Sequence, residues 1–365
     1  MSEWQTFCLK DLGKIVGGAT PSTNNPKNYG NKIAWITPKD LSTLQGRYIE
    51  KGSRSISRLG FKSCSCVLLP KHTILFSSRA PIGYVAIAKK RLCTNQGFKS
   101  IIPNKKIYFE FLYYLLKYHK DNISNIGGGT TFKEVSGATL GLFEVKIPPT
   151  YYEQQKIART LSVLDQKIEN NHKINELLHT LAYKIYEYYF KYKPKNAKLE
   201  QIIIENPKSN IMVKNAQKTQ DKYPFFTSGD NILSYPKAII DGRNCFLNTG
   251  GNAGIKFYVG KASYSTDTWC ICANEFSDYL YLLLSSIKNH INQSFFQGTS
   301  LKHLQKNLLK KYPIYMPSAH EIKKFNQIIM PLLTLISINT RTSKKLEQVR
   351  DFLLPLLLTQ QVKPE

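Results

Sequence analysis

Residues 129–133 read Gly-Thr-Thr-Phe-Lys, and residues 298–302 read Gly-Thr-Ser-Leu-Lys, 169 positions later. An apolar pattern with helical spacing follows each stretch, and the two patterns match at an offset of 168. They comprise Ile157, Leu161, Leu164 and Ile168 in the first copy and Phe325, Ile329, Leu332 and Ile336 in the second. Agreement of this kind indicates that the chain contains an internal duplication.

Each apolar pattern belongs to a long predicted helix. Steps of four and three residues continue to position 189, as in a coiled-coil seam, and predict a helix over residues 151–192 that is roughly 60 Å long. A second helix is predicted over residues 318–358, with an interruption at Pro331, which would begin its main segment. Both seams turn polar at the same place, at Asn171 and Asn339. We expect these side chains to fix the register of an antiparallel pair; the alternative is that each helix packs only on its own globule.

Residues 1–150 and 196–317 each predict a globule of mixed structure. Short β-rich runs and Gly, Pro and Asn turns accompany one helix-like stretch in each, Tyr108–Tyr118 and Asp278–His290. Between the positions that match in the two globules, the second globule has fewer residues. We therefore expect the globules to share a framework and to differ in their loops.

The predicted fold class is therefore α+β, with two domains of similar α/β-mixed fold joined by two long antiparallel coiled-coil helices in a pseudo-two-fold internal repeat. The predicted segments are an N-terminal domain (1–150), a first spacer helix (151–195), a C-terminal domain (196–317) and a second spacer helix (318–365).

The charge balance indicates a polyanionic partner. The chain has 51 Lys and Arg against 25 Asp and Glu, a formal charge of +26 and a pI near 9.6, well beyond what solubility requires. Basicity alone leaves DNA, RNA, an anionic membrane surface and a lysine-rich coding bias open. The sequence has neither a signal-peptide pattern nor an apolar run of membrane-spanning length, so we expect a cytoplasmic protein without a membrane partner.

Motifs of catalysis and metal binding are absent from the sequence. It contains no Asn/Asp-Pro-Pro-Tyr/Phe methyltransferase motif, no Pro-Asp dipeptide to begin a nuclease carboxylate cluster, and no phosphate-binding GxxxxGK[ST] loop. Residues 127–131 are instead interpreted as a turn and helix cap. The seven scattered cysteines and seven histidines lack zinc-ligand spacing. We therefore expect no catalytic residues, metal or cofactor in this chain.

Several motifs, taken together, resemble one known family. Gly18-Ala19-Thr20-Pro21-Ser22, Ile33-Ala34-Trp35-Ile36-Thr37, Ser78-Arg79-Ala80 and Thr94-Asn95-Gln96-Gly97 resemble the target recognition domain of type I restriction-modification specificity subunits. The run from Ile147-Pro148-Pro149 through Glu153-Gln154-Gln155 is similar to the family's junction into its spacer helix. The second half matches through Tyr223-Pro224-Phe225-Phe226-Thr227-Ser228-Gly229, while its Glu-Gln element is reduced to Glu321-Ile322-Lys323-Lys324.

The resemblance implies a division of labour. Such a subunit binds a bipartite double-stranded DNA sequence with one domain per half-site, and its helices act as a ruler for the gap. Methylation and cleavage belong to separate methyltransferase (M) and restriction (R) subunits docked on the helices, with Glu153, Gln154 and Gln155 as partner-binding residues. S-adenosylmethionine, ATP and Mg are then expected on those partners.

Base reading requires directional donors and acceptors, while Lys, Ser and Thr hold phosphates. Trp35 is predicted to be a core residue rather than a base-stacking one. The predicted DNA-binding residues are Thr20, Ser22, Lys27, Tyr29, Lys39, Arg47, Lys51, Arg54, Arg58, Ser77, Ser78, Arg79, Asn95 and Gln96 in the first domain, and Thr227, Ser228, Gly229, Asp230, Asn248, Thr249, Asn252, Thr266 and Asp267 in the second.

Three functional hypotheses remain distinguishable. The favoured one is a non-catalytic DNA specificity subunit; its near variant serves a partner in which methyltransferase and endonuclease are fused. The second is a complete modification and cleavage enzyme, which the missing motifs oppose. The third is a non-enzymatic coiled-coil adapter that binds RNA or protein, and a preference for RNA over duplex DNA would favour it.

Overall fold

The computed structural model describes residues 3–129, 133–216 and 222–364. The chain divides into two compact units: residues 1–170 with 343–365 form unit 1, and residues 171–342 form unit 2. Each unit therefore includes part of both long helices. Thr130, Thr131 and Phe132 of the repeated motif lie outside the described residues.

Unit 1 is built around a five-stranded sheet in the order β2-β9-β6-β7-β4, accompanied by a three-stranded sheet β5-β3-β8 and a β1-β10 pair. The elements, in chain order, are strands β1 (Gln5–Cys8), β2 (Gly13–Gly17), β3 (Tyr29–Ile36), β4 (Tyr48–Ile49), β5 (Arg54–Ile56), β6 (Ile74–Ser78), β7 (Ile82–Ala88), β8 (Cys93–Thr94), β9 (Lys99–Pro103) and β10 (Glu144–Ile147), and helices α1 (Leu9–Leu12), α2 (Pro38–Ser42), α3 (Arg58–Lys62), α4 (Phe109–Asn125), α5 (Gly137–Gly141) and α6 (Tyr151–Tyr186).

The main core of unit 1 lies between the five-stranded sheet and α4. Residues 111–116 of α4, Tyr113 and Tyr114 included, are all buried in one cluster with the sheet residues, which is the pattern of a helix segment covered on every side. Leu354, Leu357 and Leu358 from the second long helix join the same cluster. The end of that helix therefore belongs to the core of unit 1.

Unit 2 contains a four-stranded sheet β12-β18-β15-β16, a three-stranded sheet β14-β13-β17, and the pairs β11-β21 and β19-β20. Its elements are strands β11 (Ala197–Lys198), β12 (Ile204–Glu205), β13 (Tyr223–Phe226), β14 (Leu233–Tyr235), β15 (Arg243–Asn248), β16 (Ile255–Val259), β17 (Ser263–Tyr264), β18 (Thr268–Cys272), β19 (Phe296–Gln297), β20 (His303–Leu304) and β21 (Pro313–Ile314), and helices α7 (Val213–Ala216), α8 (Ser277–Ser286), α9 (Lys288–Ser294), α10 (Lys306–Lys310) and α11 (Ala319–Leu358).

The two units have the same topology. The order β12-β18-β15-β16 repeats β2-β9-β6-β7, β14-β13-β17 repeats β5-β3-β8 with the same parallel inner pairing, and β11-β21 repeats β1-β10. Strand β4 is the additional edge strand of unit 1. The duplication and the α+β class predicted from the sequence are confirmed.

The long helices run antiparallel within unit 2. Asn175 on α6 lies beside Ile336 and Thr340 on α11, while Phe190, in the π-helical turn Glu187–Lys191 that follows α6, meets the Phe325 ring at 4.9 Å. Positions rise on one helix as they fall on the other. Asn339 donates from Nδ2 to Asn175 Oδ1 at 2.9 Å. Its partner on α6 is therefore Asn175, four residues beyond Asn171. The role of Asn171 and Asn339 in setting the register of the two helices stays a prediction.

The seam residues behave alike in the two copies. Ile157, Leu161 and Ile168 are buried in the first, as Phe325, Ile329 and Ile336 are in the second, while Leu164 and Leu332 are half-buried. The predicted interruption at Pro331 is wrong, because α11 continues from Ala319 to Leu358. No helix in the described part of the chain is long and apolar enough to cross a membrane.

Candidate nucleic-acid interface

The three-stranded sheet of unit 1 forms a strongly cationic lobe. This basic lobe, residues 17–35 and 51–66, contains no Asp or Glu. Its small core includes Trp35, Ile56, Cys66 and Cys93, and the Trp35 indole donates to Ala19 O at 3.0 Å, which confirms Trp35 as a core residue. The exposed cations of the lobe are Lys27, Lys32, Lys51, Arg54, Arg58 and Lys62.

A network of hydrogen bonds holds the loop between β2 and β3 against the lobe. The Tyr29 hydroxyl donates to Pro21 O at 2.9 Å, Asn28 donates to Ser22 O at 2.9 Å, and Thr20 donates to the Gln96 side-chain oxygen. The Arg54 guanidinium lies 4.0 Å from the centre of the Tyr29 ring, a cation–π contact that orients it. The structure therefore brings five exposed predicted residues together around the half-buried Tyr29: Thr20, Ser22, Lys27, Arg54 and Gln96.

Arg47 corrects the predicted DNA-binding set. Its side chain is only 3% exposed; Nη1 lies 3.0 Å from Glu110 and Nε lies 3.1 Å from Glu169. Asp165 lies near the same guanidinium and also pairs with Arg350 at 2.7 Å. A guanidinium enclosed by carboxylates from α4 and α6 cannot reach DNA, so Arg47 is a structural residue that attaches the globule to the long helix.

Two further predictions in unit 1 are wrong for the same reason. Ser77 and Ser78 are fully buried at the end of β6, and the Ser77 hydroxyl donates to Pro81 O and accepts from Tyr84 N, both at 2.8 Å. Arg79, next in the chain, is half-buried and pairs with Glu134 at 3.3 Å. The remaining predicted residues of this unit are the exposed Lys39, Lys51 and Arg58 and the half-buried Asn95, whose side chain accepts from Gly97 N.

In unit 2 the predicted residues converge, largely on one another. Thr249 Oγ1 donates to Asp267 O at 2.7 Å, and the Ser228 hydroxyl donates to the same carbonyl oxygen. Half-buried Lys256 donates to Thr227 O at 2.8 Å and to Asn248 Oδ1 at 3.1 Å, and its partial burial lowers the pKa of this lysine.

Thr227 and Asn248 are themselves buried, so their assignment as DNA-contacting side chains is wrong; they shape the loops instead. The predicted residues of unit 2 that are exposed are Gly229, Asp230, Asn252 and Thr266.

The start of α6 separates the three predicted partner-binding residues. Gln154 is 1% exposed and is saturated internally: its oxygen accepts from Tyr108 N at 2.7 Å and its nitrogen donates to Lys106 O at 3.0 Å. Its repeat equivalent in unit 2 is the buried Ile322, so an internal role explains why the element changes there. The assignment of Gln154 as a partner-binding residue is therefore wrong. Glu153 caps the helix with Thr150, and Gln155 is exposed.

The outer face of α6 in unit 2 carries an exposed apolar stripe. Ile174, Leu177 and Leu181 are spaced by three and four residues and remain exposed, Leu177 by 71%. Apolar side chains at this spacing are typical of a surface that binds another helix.

Comparison with known proteins identifies the family. The family model for the type I restriction modification DNA specificity domain matches residues 1–180 and again residues 195–348. This chain belongs to that family. The resemblance drawn from the sequence motifs is thus confirmed, and the two matches fall on the two copies of the duplication.

Three similar proteins carry names or titles of type I specificity (S) subunits. The type I restriction enzyme MjaIX specificity subunit of Methanocaldococcus jannaschii is 32% identical over 100% of this chain and 94% of its own length. The HindI specificity subunit of Haemophilus influenzae is 32% identical over 46% of this chain and 37% of its own length. The crystal structure of a type I restriction-modification system S subunit from M. genitalium shares the fold, with a TM-score of 0.63 at 18% identity over 97% of this chain and 96% of that one.

Residues outside the predicted set also belong to the candidate specificity surfaces. Lys32 and Lys62 extend the basic lobe, and charge density over a folded region was the only signal for them. In unit 2, the repeated stretch 298–302 forms the exposed loop of the β19-β20 hairpin. Within the described residues, no group of three His, Cys, Asp or Glu side chains is arranged to hold a metal ion.

Proposed function

We propose that this chain reads a split double-stranded DNA sequence, with unit 1 binding one half and unit 2 the other. The observation that carries the proposal is the duplication: two units with one topology, each matched by the specificity family, present exposed side chains of different chemistry. Sequence reading depends on side chains at base edges. Two readers with one framework and unequal loops suit a target with two unequal halves.

The chemistry of the two surfaces supports different readouts. Unit 1 presents Arg54, Arg58 and Gln96, which suit guanine and adenine edges, in a lobe without carboxylates. Unit 2 presents Asp230, Asn252 and Thr266, which suit cytosine and adenine donors. The positive charge of the whole chain supplies the attraction to phosphate that holds either reader on DNA.

The long helices are the proposed docking elements for the methyltransferase and restriction subunits. The exposed stripe of Ile174, Leu177 and Leu181 offers an apolar seam to a partner helix, and Gln155 is exposed at the start of α6. In this proposal the present chain performs no catalysis. S-adenosylmethionine, ATP and Mg are bound by the partner subunits.

The proposal is tested by co-expressing the chain with the methyltransferase encoded beside its gene and sequencing host DNA for methylated adenines. We expect one split motif with a fixed gap. Replacing residues 20–29 should alter one half of the motif, and replacing residues 228–230 should alter the other. Matched replacement of Lys89 and Lys90, which are exposed on unit 1 outside the basic lobe and both long helices, should leave the motif unchanged.

Three outcomes would contradict the proposal. These are the absence of a split motif, methylation that persists without this chain, and a preference for RNA over duplex DNA. The last would favour the coiled-coil adapter. A partner with fused methyltransferase and endonuclease activities would give the same motif, and only the subunit composition would distinguish it.

A further inference from the structure

The residues that flank the repeated stretch pair in the same way in both units. In unit 2, Gln297 pairs with His303 across the β19-β20 hairpin. In unit 1, Gly128 pairs with Glu134 through hydrogen bonds of 3.1 Å and 2.9 Å, at the equivalent positions. The stretches between these pairs, residues 129–133 and 298–302, are named the hairpin tips below; Thr130, Thr131 and Phe132 of the first stretch lie outside the described residues.

Both tips require a glycine at their first position. Gly129 and Gly298 have φ of 118° and 143°, a region that other residues rarely adopt. At Gly298 a Cβ atom would also lie 2.4 Å from Leu301 O. The repeated glycine therefore reflects the same requirement for a positive φ at the equivalent position of each unit.

Each hairpin is attached to its unit at the same point. Val135 N donates to Ser78 O at 3.0 Å in unit 1, and Leu304 N donates to Thr249 O at 3.0 Å in unit 2. Ser78 and Thr249 are at the end of the equivalent strands β6 and β15, beside the turns that carry candidate reading residues. Each tip is thus fixed next to a proposed reading surface.

The tip of unit 2 is exposed and rich in hydrogen-bond donors. All residues from Gln297 to His303 are exposed and none is acidic. Within the described part of the chain, the side chains of Thr299, Ser300 and Lys302 make no hydrogen bond or ion pair with protein groups. Lys133 is exposed at the equivalent position of unit 1.

We propose that the hairpin tip of unit 2 binds a phosphate of the DNA backbone, and this inference rests on the proposed function. Loops that read sequence should differ between units, because the half-sites differ. An element retained in sequence, in the backbone conformation of its glycine and in its attachment should instead bind what both half-sites share, which is the sugar–phosphate backbone. The Thr and Ser hydroxyls and the lysine ammonium are suitable donors to a phosphodiester. This tip positions the reader of unit 2 and contributes no base preference.

The test is the salt dependence of DNA binding by the full chain. Affinity for a duplex carrying the methylated motif and for an unrelated duplex is measured by fluorescence anisotropy between roughly 50 and 200 mM salt. Lys302→Gln, alone and with Thr299→Val, is compared with Lys311→Gln, which removes the same charge from another exposed site of unit 2. Lys302→Gln should reduce the slope of log K against log salt by about 1, weaken both duplexes by the same factor, and leave the methylated sequence unchanged.

Two results would overturn phosphate binding by the hairpin tip alone. One is a salt-dependence slope for Lys302→Gln equal to that of Lys311→Gln, and the other is a loss of affinity confined to the specific duplex. In both cases the wild-type chain would still bind its split motif. A wild-type chain that binds no split motif would instead contradict the proposed function. Lys133→Gln extends the test to unit 1, where the same change in slope is expected.

Discussion

Two arginines of unit 1 show how environment decides the role of a residue. Arg47 and Arg54 lie seven positions apart, and the sequence indicated DNA contact for both. Arg47 is buried because its partners Glu110, Asp165 and Glu169 come from distant helices, a non-local arrangement that no local pattern reveals. Arg54 remains on the surface against Tyr29. Residue type therefore predicted the chemistry of these sites but not which guanidinium faces solvent.

This difference in burial predicts different effects for the same change, arginine to alanine, at the two positions. Arg47→Ala should lower the free energy of unfolding by about 3–5 kcal/mol, because it leaves buried carboxylates without their cation. Arg54→Ala should change stability by less than about 0.5 kcal/mol and weaken DNA binding. Urea titration and anisotropy measure the two quantities. Equal stability losses, or a stable Arg47→Ala protein with impaired binding only, would contradict the burial of Arg47.

At the scale of elements, the sequence predicted the long helices well because their seams repeat over many turns. It failed at Pro331, where local preference opposes a helix. There α11 continues because its buried neighbours Ile329 and Leu333 belong to the core of unit 2. Tertiary packing outweighs one missing backbone donor. The start of the same helix was predicted correctly, and its cap carries a titratable group.

The cap of α11 predicts a pH-dependent contribution to stability. The backbone N–H of Ser318, with the hydroxyls of Tyr315 and Ser318, lowers the pKa of Glu321 from 4.5 to about 2. A carboxyl with a depressed folded pKa stabilises the protein above about pH 4.5 and loses that effect as the pH falls towards 2. Glu321→Gln keeps a side chain able to cap but removes the negative charge from the first turn of the helix, so it should cost up to about 1 kcal/mol at pH 7, and progressively less below pH 4.5.

Urea titrations of wild type and Glu321→Gln across this pH range measure that difference. Glu347→Gln, also on α11, is the matched control and should change stability by less than about 0.5 kcal/mol. A Glu321→Gln effect that grows on acidification would contradict the assigned cap.

At the scale of the whole molecule, the duplication was the most predictable feature and the reading surfaces were the least. A repeat is visible in one sequence because both copies conserve their core spacing. Side-chain exposure in the loops depends on hydrogen bonds between segments distant in the chain, such as those joining Ser228, Thr249 and Asp267. Polar residues that the sequence marked as readers thus divide into loop-forming and exposed groups.

Two readers in separate compact units should contribute independently to DNA affinity. Arg54→Ala changes unit 1, and Asn252→Ala changes unit 2 at an exposed side chain. With no shared contacts, their losses of binding free energy should add within about 0.3–0.5 kcal/mol in the double variant. Anisotropy with a duplex carrying the whole split motif provides the four affinities required. A double variant no weaker than the poorer single variant would mean that both residues act on one common step, which a two-reader protein does not allow.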